Sequence, residues 1–212
     1  MKKIVRIGAG SAWWGDRIEP ARWNAERGDL DYLCFETMAE ATISAAQVRK
    51  RRDPSFPGYD TYLDDRMQAV LPGCIKRGTK IVTNQGWINP DAAAERIVYW
   101  LKKLGAKGIK VAAVNGSLIT DRVLQLTGTI MENGKPTSTL ADTLVSAEAY
   151  LGAEPLVAAL KQGPVIAGPA AGCRRKSGCA GAADTHRAGR HTCRAPLPRG
   201  FGLRRAGRRA GW

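Results

Sequence analysis

The chain has 212 residues, 44% of them hydrophobic, and a formal net charge of +14. That composition supports one large domain with a buried core, and no apolar run approaches the ~20 residues that a membrane span needs. Arg6 interrupts the first apolar segment too early for a secretory signal, and the five cysteines form an odd, loosely spaced set. We therefore expect a cytoplasmic protein without structural disulfides.

The positive charge is concentrated near the C-terminus. Residues 1–163 contain 22 Lys and Arg against 18 Asp and Glu, a net of +4, whereas residues 164–212 contain 11 against one, a net of +10. Nucleic-acid binding by the folded part is therefore not favoured, because such domains carry a basic patch or stripe of their own.

Strands and helices are predicted to alternate along the first half of the chain. Short apolar segments predict strands, and longer segments bounded by proline or glycine predict helices. The predicted strands are Lys3–Gly8, Asp31–Phe35, Lys80–Thr83 and Gly108–Val114. The predicted helices are Glu19–Arg27, Thr37–Arg51, Asp60–Arg77 and Asp91–Leu104, and Pro72 is expected to kink or interrupt the third.

This alternation predicts an α/β fold, with a mostly parallel sheet and helices on both faces in a three-layer, Rossmann-like arrangement. Residues 118–140 break the alternation, and Asn133-Gly134 suggests a hairpin turn. Leu144–Ala147 is a weaker strand prediction, and Glu154–Gln162 is predicted to form the last helix.

The glycine-rich stretch after the first predicted strand, residues 8–17, is the strongest candidate ligand loop. Its pattern is Gly-x-Gly-x4-Gly, which matches neither the dinucleotide fingerprint nor a nucleotide P-loop. Glycines let backbone amides approach an anionic ligand, and an arginine can bind a carboxylate or phosphate with two hydrogen bonds. The candidate ligand-binding residues here are Gly8, Gly10, Ser11, Gly15 and Arg17.

The same residues also allow a structural interpretation, in which the loop only connects the first strand to the first helix. Asp16 would then form an ion pair or cap the helix, whereas in the functional interpretation it is a candidate catalytic carboxylate. Trp13 and Trp14 either cover a hydrophobic ligand or close the edge of the core.

Further candidates follow the next strands. In an open parallel sheet, ligands bind beyond the carboxyl ends of the strands. Glu36 follows three apolar residues, and a carboxylate partly removed from water there is a candidate general base, or else a capping or paired residue. Asn84 and Gln85 offer donors to an oxyanion, or stabilise the turn before Pro90.

Residues 1–163 contain no histidine, so a Ser-His-Asp triad and a histidine-bearing metal centre are not expected there. No metal site is predicted in this part of the chain.

Four sequence blocks resemble one known family. MKKIVRIGAGSAWWGDR, DYLCFETMAEATISAAQ, IVTNQGWINPDAAAERIV and SAEAYLGAEPLVAAL are similar to the N-terminal domain of the acyclic terpene utilisation family, A-type protein, over about residues 3–163. The resemblance implies a role in the breakdown of acyclic terpenoids such as citronellol or geraniol. It implies a branched acyl compound as ligand, with a CoA thioester as the expected form and proton transfer by a carboxylate. A non-catalytic accessory role, with an acyl-CoA carboxylase subunit as partner, stays open.

The last part of the chain has a different composition. We expect an incomplete family domain at residues 1–169 and a disordered, Arg-, Gly- and Ala-rich tail at 170–212. Three interpretations of this tail remain: a basic arm for nucleic acid, a metal site, or a frame-shifted segment that truncates the domain. The metal site would use Cys173, Cys179, His186 and His191. The resemblance favours the frame-shift, because family members continue with a valine-rich strand and a Gly-Arg-x-x-Asp loop.

Overall fold

Five short strands form a single sheet in the computed structural model, which describes residues 4–162 and 166–169. All four neighbouring strand pairs are parallel, and the strand order is β1-β2-β3-β5-β4. The predicted α/β fold with a parallel sheet is therefore confirmed. The strands are β1 Ile7–Ser11, β2 Tyr32–Phe35, β3 Lys80–Thr83, β4 Val111–Val114 and β5 Ile166–Pro169.

The helices divide unequally between the two faces of the sheet. Among the described residues they are α1 Glu19–Arg27, α2 Glu40–Arg52, α3 Leu63–Arg77, α4 Pro90–Lys103, α5 Thr120–Val123 and α6 Glu154–Lys161, with a 3₁₀ turn at Thr137–Leu140. Strands β1 to β4 advance across the sheet in one direction, so right-handed crossovers put α1, α3 and α4 on one face. The connection from β4 to β5 runs back, which puts α6 on the other face.

Two hydrophobic clusters follow from this arrangement. The larger one joins α1, α3 and α4 to inward residues of β2 and β3 such as Leu33 and Ile81. The smaller one joins Leu156 and Leu160 of α6 to Tyr32 and Val82. Alternate residues of each strand thus face opposite helical layers.

The first strand lies later in the sequence than predicted. Lys3–Gly8 was the expected strand, but β1 is Ile7–Ser11, so Gly8, Gly10 and Ser11 are strand residues and not loop residues. Both glycines allow close packing: a Cβ at Gly8 would lie 2.3 Å from Leu30 Cδ1, and one at Gly10 would lie 2.5 Å from Phe35 Cε1. The connecting loop consists of residues 12–18.

Two helices begin three residues later than predicted. The amides of Thr37 and Met38 donate to the side chains of Asn84 and Glu36, so α2 begins only at Glu40. The carboxylate of Asp60 accepts from the amide of Tyr62, and α3 begins at Leu63.

Of the two outcomes expected at Pro72, a kink or an interruption, the interruption does not occur, because α3 continues through it to Arg77. Gly73 directly follows, and a Cβ there would lie 2.8 Å from the backbone of Ala25 in α1. The close approach of α1 and α3 therefore depends on this glycine. Next to it, Cys74 is a core residue, and burial raises the pKa of its thiol to about 12.

Residues 118–140, between β4 and α6, are mostly irregular, as predicted. The turn at Asn133-Gly134 is confirmed by the antiparallel bridge between Thr129 and Pro136. The predicted strand Leu144–Ala147 is wrong, because only Glu148 beyond it forms a bridge, with Leu118.

Among the described residues, no helix has both the length and the hydrophobicity to cross a membrane. The predictions made for 170–212, including the metal ligands Cys173 and His186, lie outside the described residues.

Candidate functional site

The carboxyl ends of β1, β2 and β3 bring three predicted site residues together. Ser11, Glu36 and Asn84 are the last residue of β1 and the first residues after β2 and β3. Ser11 Oγ donates to the carbonyl oxygen of Glu36 at 3.0 Å, and the Glu36 amide donates to the carbonyl oxygen of Ser11 at 3.1 Å. These bonds fix the chain direction of Glu36 as it leaves the sheet.

One oxygen of the Glu36 carboxylate is held by two donors. Glu36 Oε1 accepts from Asn84 Nδ2 at 2.8 Å and from the Met38 amide at 2.9 Å. Asn84 is buried, and its Oδ1 accepts from the Thr37 amide at 2.7 Å, which fixes the orientation of the Asn84 amide. No donor among the described residues binds Glu36 Oε2. The carboxylate is therefore half-buried and oriented, with one oxygen left for another group.

Asp16 closes the loop after β1. Its Oδ2 accepts from the amides of Ala12 and Trp13 at 2.6 and 2.9 Å. Two amides that an anionic ligand would need are thus already bound by this side chain. Gly15 supports the same compact turn, since a Cβ there would lie 2.1 Å from the Trp13 ring.

Arg17 extends from this loop into solvent. Its side chain is 77% exposed, and its Nε lies 3.4 Å from Glu19 Oε2. It is not bonded to the Glu36 network, so the structure does not bring all the predicted residues of the loop into one site.

Gln85 belongs to a buried polar network on the side of β3 away from Glu36. Its Nε2 donates to Asp60 Oδ2 at 3.0 Å, and its amide donates to Thr83 Oγ1 at 3.0 Å. Arg66 Nη1 donates to the same oxygen of Asp60 at 2.6 Å. Arg66 and Asp60 are 1% and 0% exposed. Gln85 therefore uses its donor in the core.

Asp60 and Arg66 were not predicted as site residues. Arg66 Nη2 donates to the carbonyl oxygen of Trp14, so the pair attaches the loop after β1 to the start of α3. The available signal was helical spacing: Leu63, Met67 and Val70 surround Arg66 on one face, and all three are fully buried.

An aromatic cluster lies beside this network, and we call it the aromatic edge. It consists of Trp13, Trp14, Tyr62 and Trp87. The ring centroid of Trp14 lies 5.5 Å from that of Tyr62 and 6.3 Å from those of Trp13 and Trp87. Trp87 Nε1 donates to Thr37 Oγ1 at 3.3 Å, which connects the aromatic edge to the residue next to Glu36.

A cavity of about 80 Å³ lies at the start of α2. Its lining residues are Met38, Ala39, Glu40, Ile43, Glu148, Ala149 and Tyr150. Met38 connects it to the Glu36 network through its amide. The described residues hold no group of three or more His, Cys, Asp or Glu side chains arranged for a metal ion.

The arrangement can hold a carboxylate base beside apolar and aromatic surface. Comparison with known proteins identifies the family of the chain. No curated protein and no solved structure is significantly similar to the chain. The model of the family described as "Acyclic terpene utilisation family protein AtuA" matches residues 5–171. Because the match spans most of the 212 residues, the chain belongs to the acyclic terpene utilisation family.

Proposed function

We propose that the chain acts in the breakdown of acyclic terpenoids by binding a branched acyl intermediate, as its CoA thioester, at the carboxyl edge of the sheet. Family membership supports the pathway, and the geometry of Glu36 supports the site. We expect this activity in the cytoplasm, where CoA thioesters are available.

Glu36 is the proposed general base. Its Oε1 is held by Asn84 and the Met38 amide, and its Oε2 has no donor among the described residues, which is the observation that carries the proposal. In this mechanism Glu36 Oε2 removes a proton from a carbon of the substrate that is conjugated with the thioester carbonyl. The conjugation makes this proton acidic, because the carbonyl takes up the charge that remains. Asn84 positions the base, because its Nδ2 donates to Glu36 Oε1 while its Oδ1 accepts from the Thr37 amide.

The experiment compares Glu36→Gln with wild type for exchange of substrate protons with heavy water, using geranyl-CoA. Loss of a general base costs about 10²–10⁴-fold in rate, and the glutamine keeps the shape of the side chain. Glu132→Gln is the control, because Glu132 is an exposed glutamate far along the irregular segment. Unchanged exchange in Glu36→Gln would contradict the catalytic assignment.

The second candidate is a non-catalytic accessory protein that binds the same ligand or a carboxylase subunit. It is favoured by the absence, among the described residues, of a second acid or base hydrogen-bonded to Glu36. Binding of geranyl-CoA without any proton exchange in wild type would support it. Nucleic-acid binding would depend on the basic residues outside the described part of the chain.

A further inference from the structure

Two rings of the aromatic edge are exposed to solvent, and a third is buried next to Thr37. Trp13 is 59% exposed and Tyr62 is 41% exposed, whereas Trp87 is 5% exposed. The cluster thus runs from solvent into the core without interruption. A contiguous exposed apolar patch rimmed by polar residues marks an interaction or ligand surface, whereas single scattered apolar residues are ordinary.

The aromatic edge is held in place before any ligand binds. Arg66 Nη2 donates to the carbonyl oxygen of Trp14, and its guanidinium carbon lies 5.5 Å from the Tyr62 ring centroid. Because Arg66 is itself buried against Asp60, this support is rigid. A surface that is already ordered loses little conformational entropy on binding.

The inner end of the aromatic edge is also connected to the proposed base. Trp87 Nε1 donates to Thr37 Oγ1, the Thr37 amide donates to Asn84 Oδ1, and Asn84 Nδ2 donates to Glu36 Oε1. Three hydrogen bonds therefore join the aromatic surface to the carboxylate. A ligand with its reactive carbons at Glu36 would have an apolar surface for the remainder of its chain.

We infer that the aromatic edge binds the branched hydrocarbon chain of the terpenoid, with Trp13 and Tyr62 as its outer contacts; this inference rests on the proposed function. The ligand class fits the surface, because an acyclic terpenoid chain is apolar and carries no hydrogen-bonding group of its own. Aromatic rings offer large, rigid apolar contact area to such a chain.

The test is a titration of the full-length protein with geranic acid, followed by tryptophan fluorescence. We expect Trp13→Ala to weaken binding about tenfold, since the loss of one aromatic contact to the ligand is of that size. Trp23→Ala is the matched control: Trp23 is 49% exposed but is not part of the aromatic edge, and its loss should change the affinity less than about twofold.

Tyr62→Ala provides a second variant, and circular dichroism checks that each variant keeps its helices. Equal affinity of wild type, Trp13→Ala and Tyr62→Ala would overturn the inference and leave the proposed function standing. Binding of acetate as tightly as geranic acid would also overturn it, since acetate has the carboxylate without the chain. No binding of either geranic acid or geranyl-CoA to wild type would overturn the proposed function itself.

Discussion

Replacing Arg66 by methionine tests the buried polar network. Arg66 and Asp60 are 1% and 0% exposed, and the guanidinium nitrogen lies 2.6 Å from the carboxylate oxygen. Methionine fills most of the volume but leaves Asp60 without its charged partner. Breaking a buried pair from one side typically costs about 3–5 kcal/mol. That is a large fraction of the ~5–15 kcal/mol by which domains are stable, so the urea midpoint should fall markedly.

The matched control is Arg96→Met. Arg96 forms two hydrogen bonds with Asp64, but the two side chains are 35% and 34% exposed. Because both of these side chains stay in contact with solvent, water replaces part of the lost interaction, so the control should lose less stability. Adding Asp60→Asn to Arg66→Met should recover part of the loss, because no buried charge then remains. Equal losses at positions 66 and 96, or a double variant that loses the sum of both single changes, would refute the reasoning.

Two further predictions follow from single contacts. Gly10→Val should lower the free energy of unfolding by about 1–3 kcal/mol in denaturant titrations, because a Cβ at this position would lie 2.5 Å from the Phe35 ring. Gly128→Ala is the control: its Cβ would lie 3.5 Å from the nearest atom, so the free energy of unfolding should change little. The hydrogen bonds that Asp64 accepts from Arg96 and Trp100 lower its pKa, against the opposing effect of burial. The stability that ionised Asp64 contributes is therefore complete above its unfolded pKa of about 3.9. That stability is lost as the pH falls through the lower folded pKa. Asp64→Asn should therefore show a shallower loss of stability in acid than wild type, and an identical pH profile would contradict this.

Most helices and strands could be predicted from the sequence, because the residues that mark their ends lie within or next to them. The bounds of α1 and β3 agree with Glu19–Arg27 and Lys80–Thr83, since proline, glycine and β-branched residues mark them directly. The start of β1 was missed, because glycines carry no strand preference and their presence is explained by Leu30 and Phe35, which are distant in sequence.

The site was predictable only where topology alone determines it. Ser11, Glu36 and Asn84 meet because the ends of neighbouring parallel strands lie at one edge. The pairing of Asp60 with Gln85 and Arg66 depends on the path of the loop before α3, which no periodicity predicts.

The turn after β3 connects the core to the proposed site. Asn84 and Gln85 are adjacent, yet Asn84 binds Glu36 on one side and Gln85 binds Asp60 on the other. The Asp60 amide also donates to the Gln85 carbonyl oxygen at 2.9 Å, so the backbone of this turn is fixed by the buried pair as well. The ion pair of Asp60 and Arg66 therefore has two effects: it stabilises the core, and it holds both Trp14 and Asn84 in position.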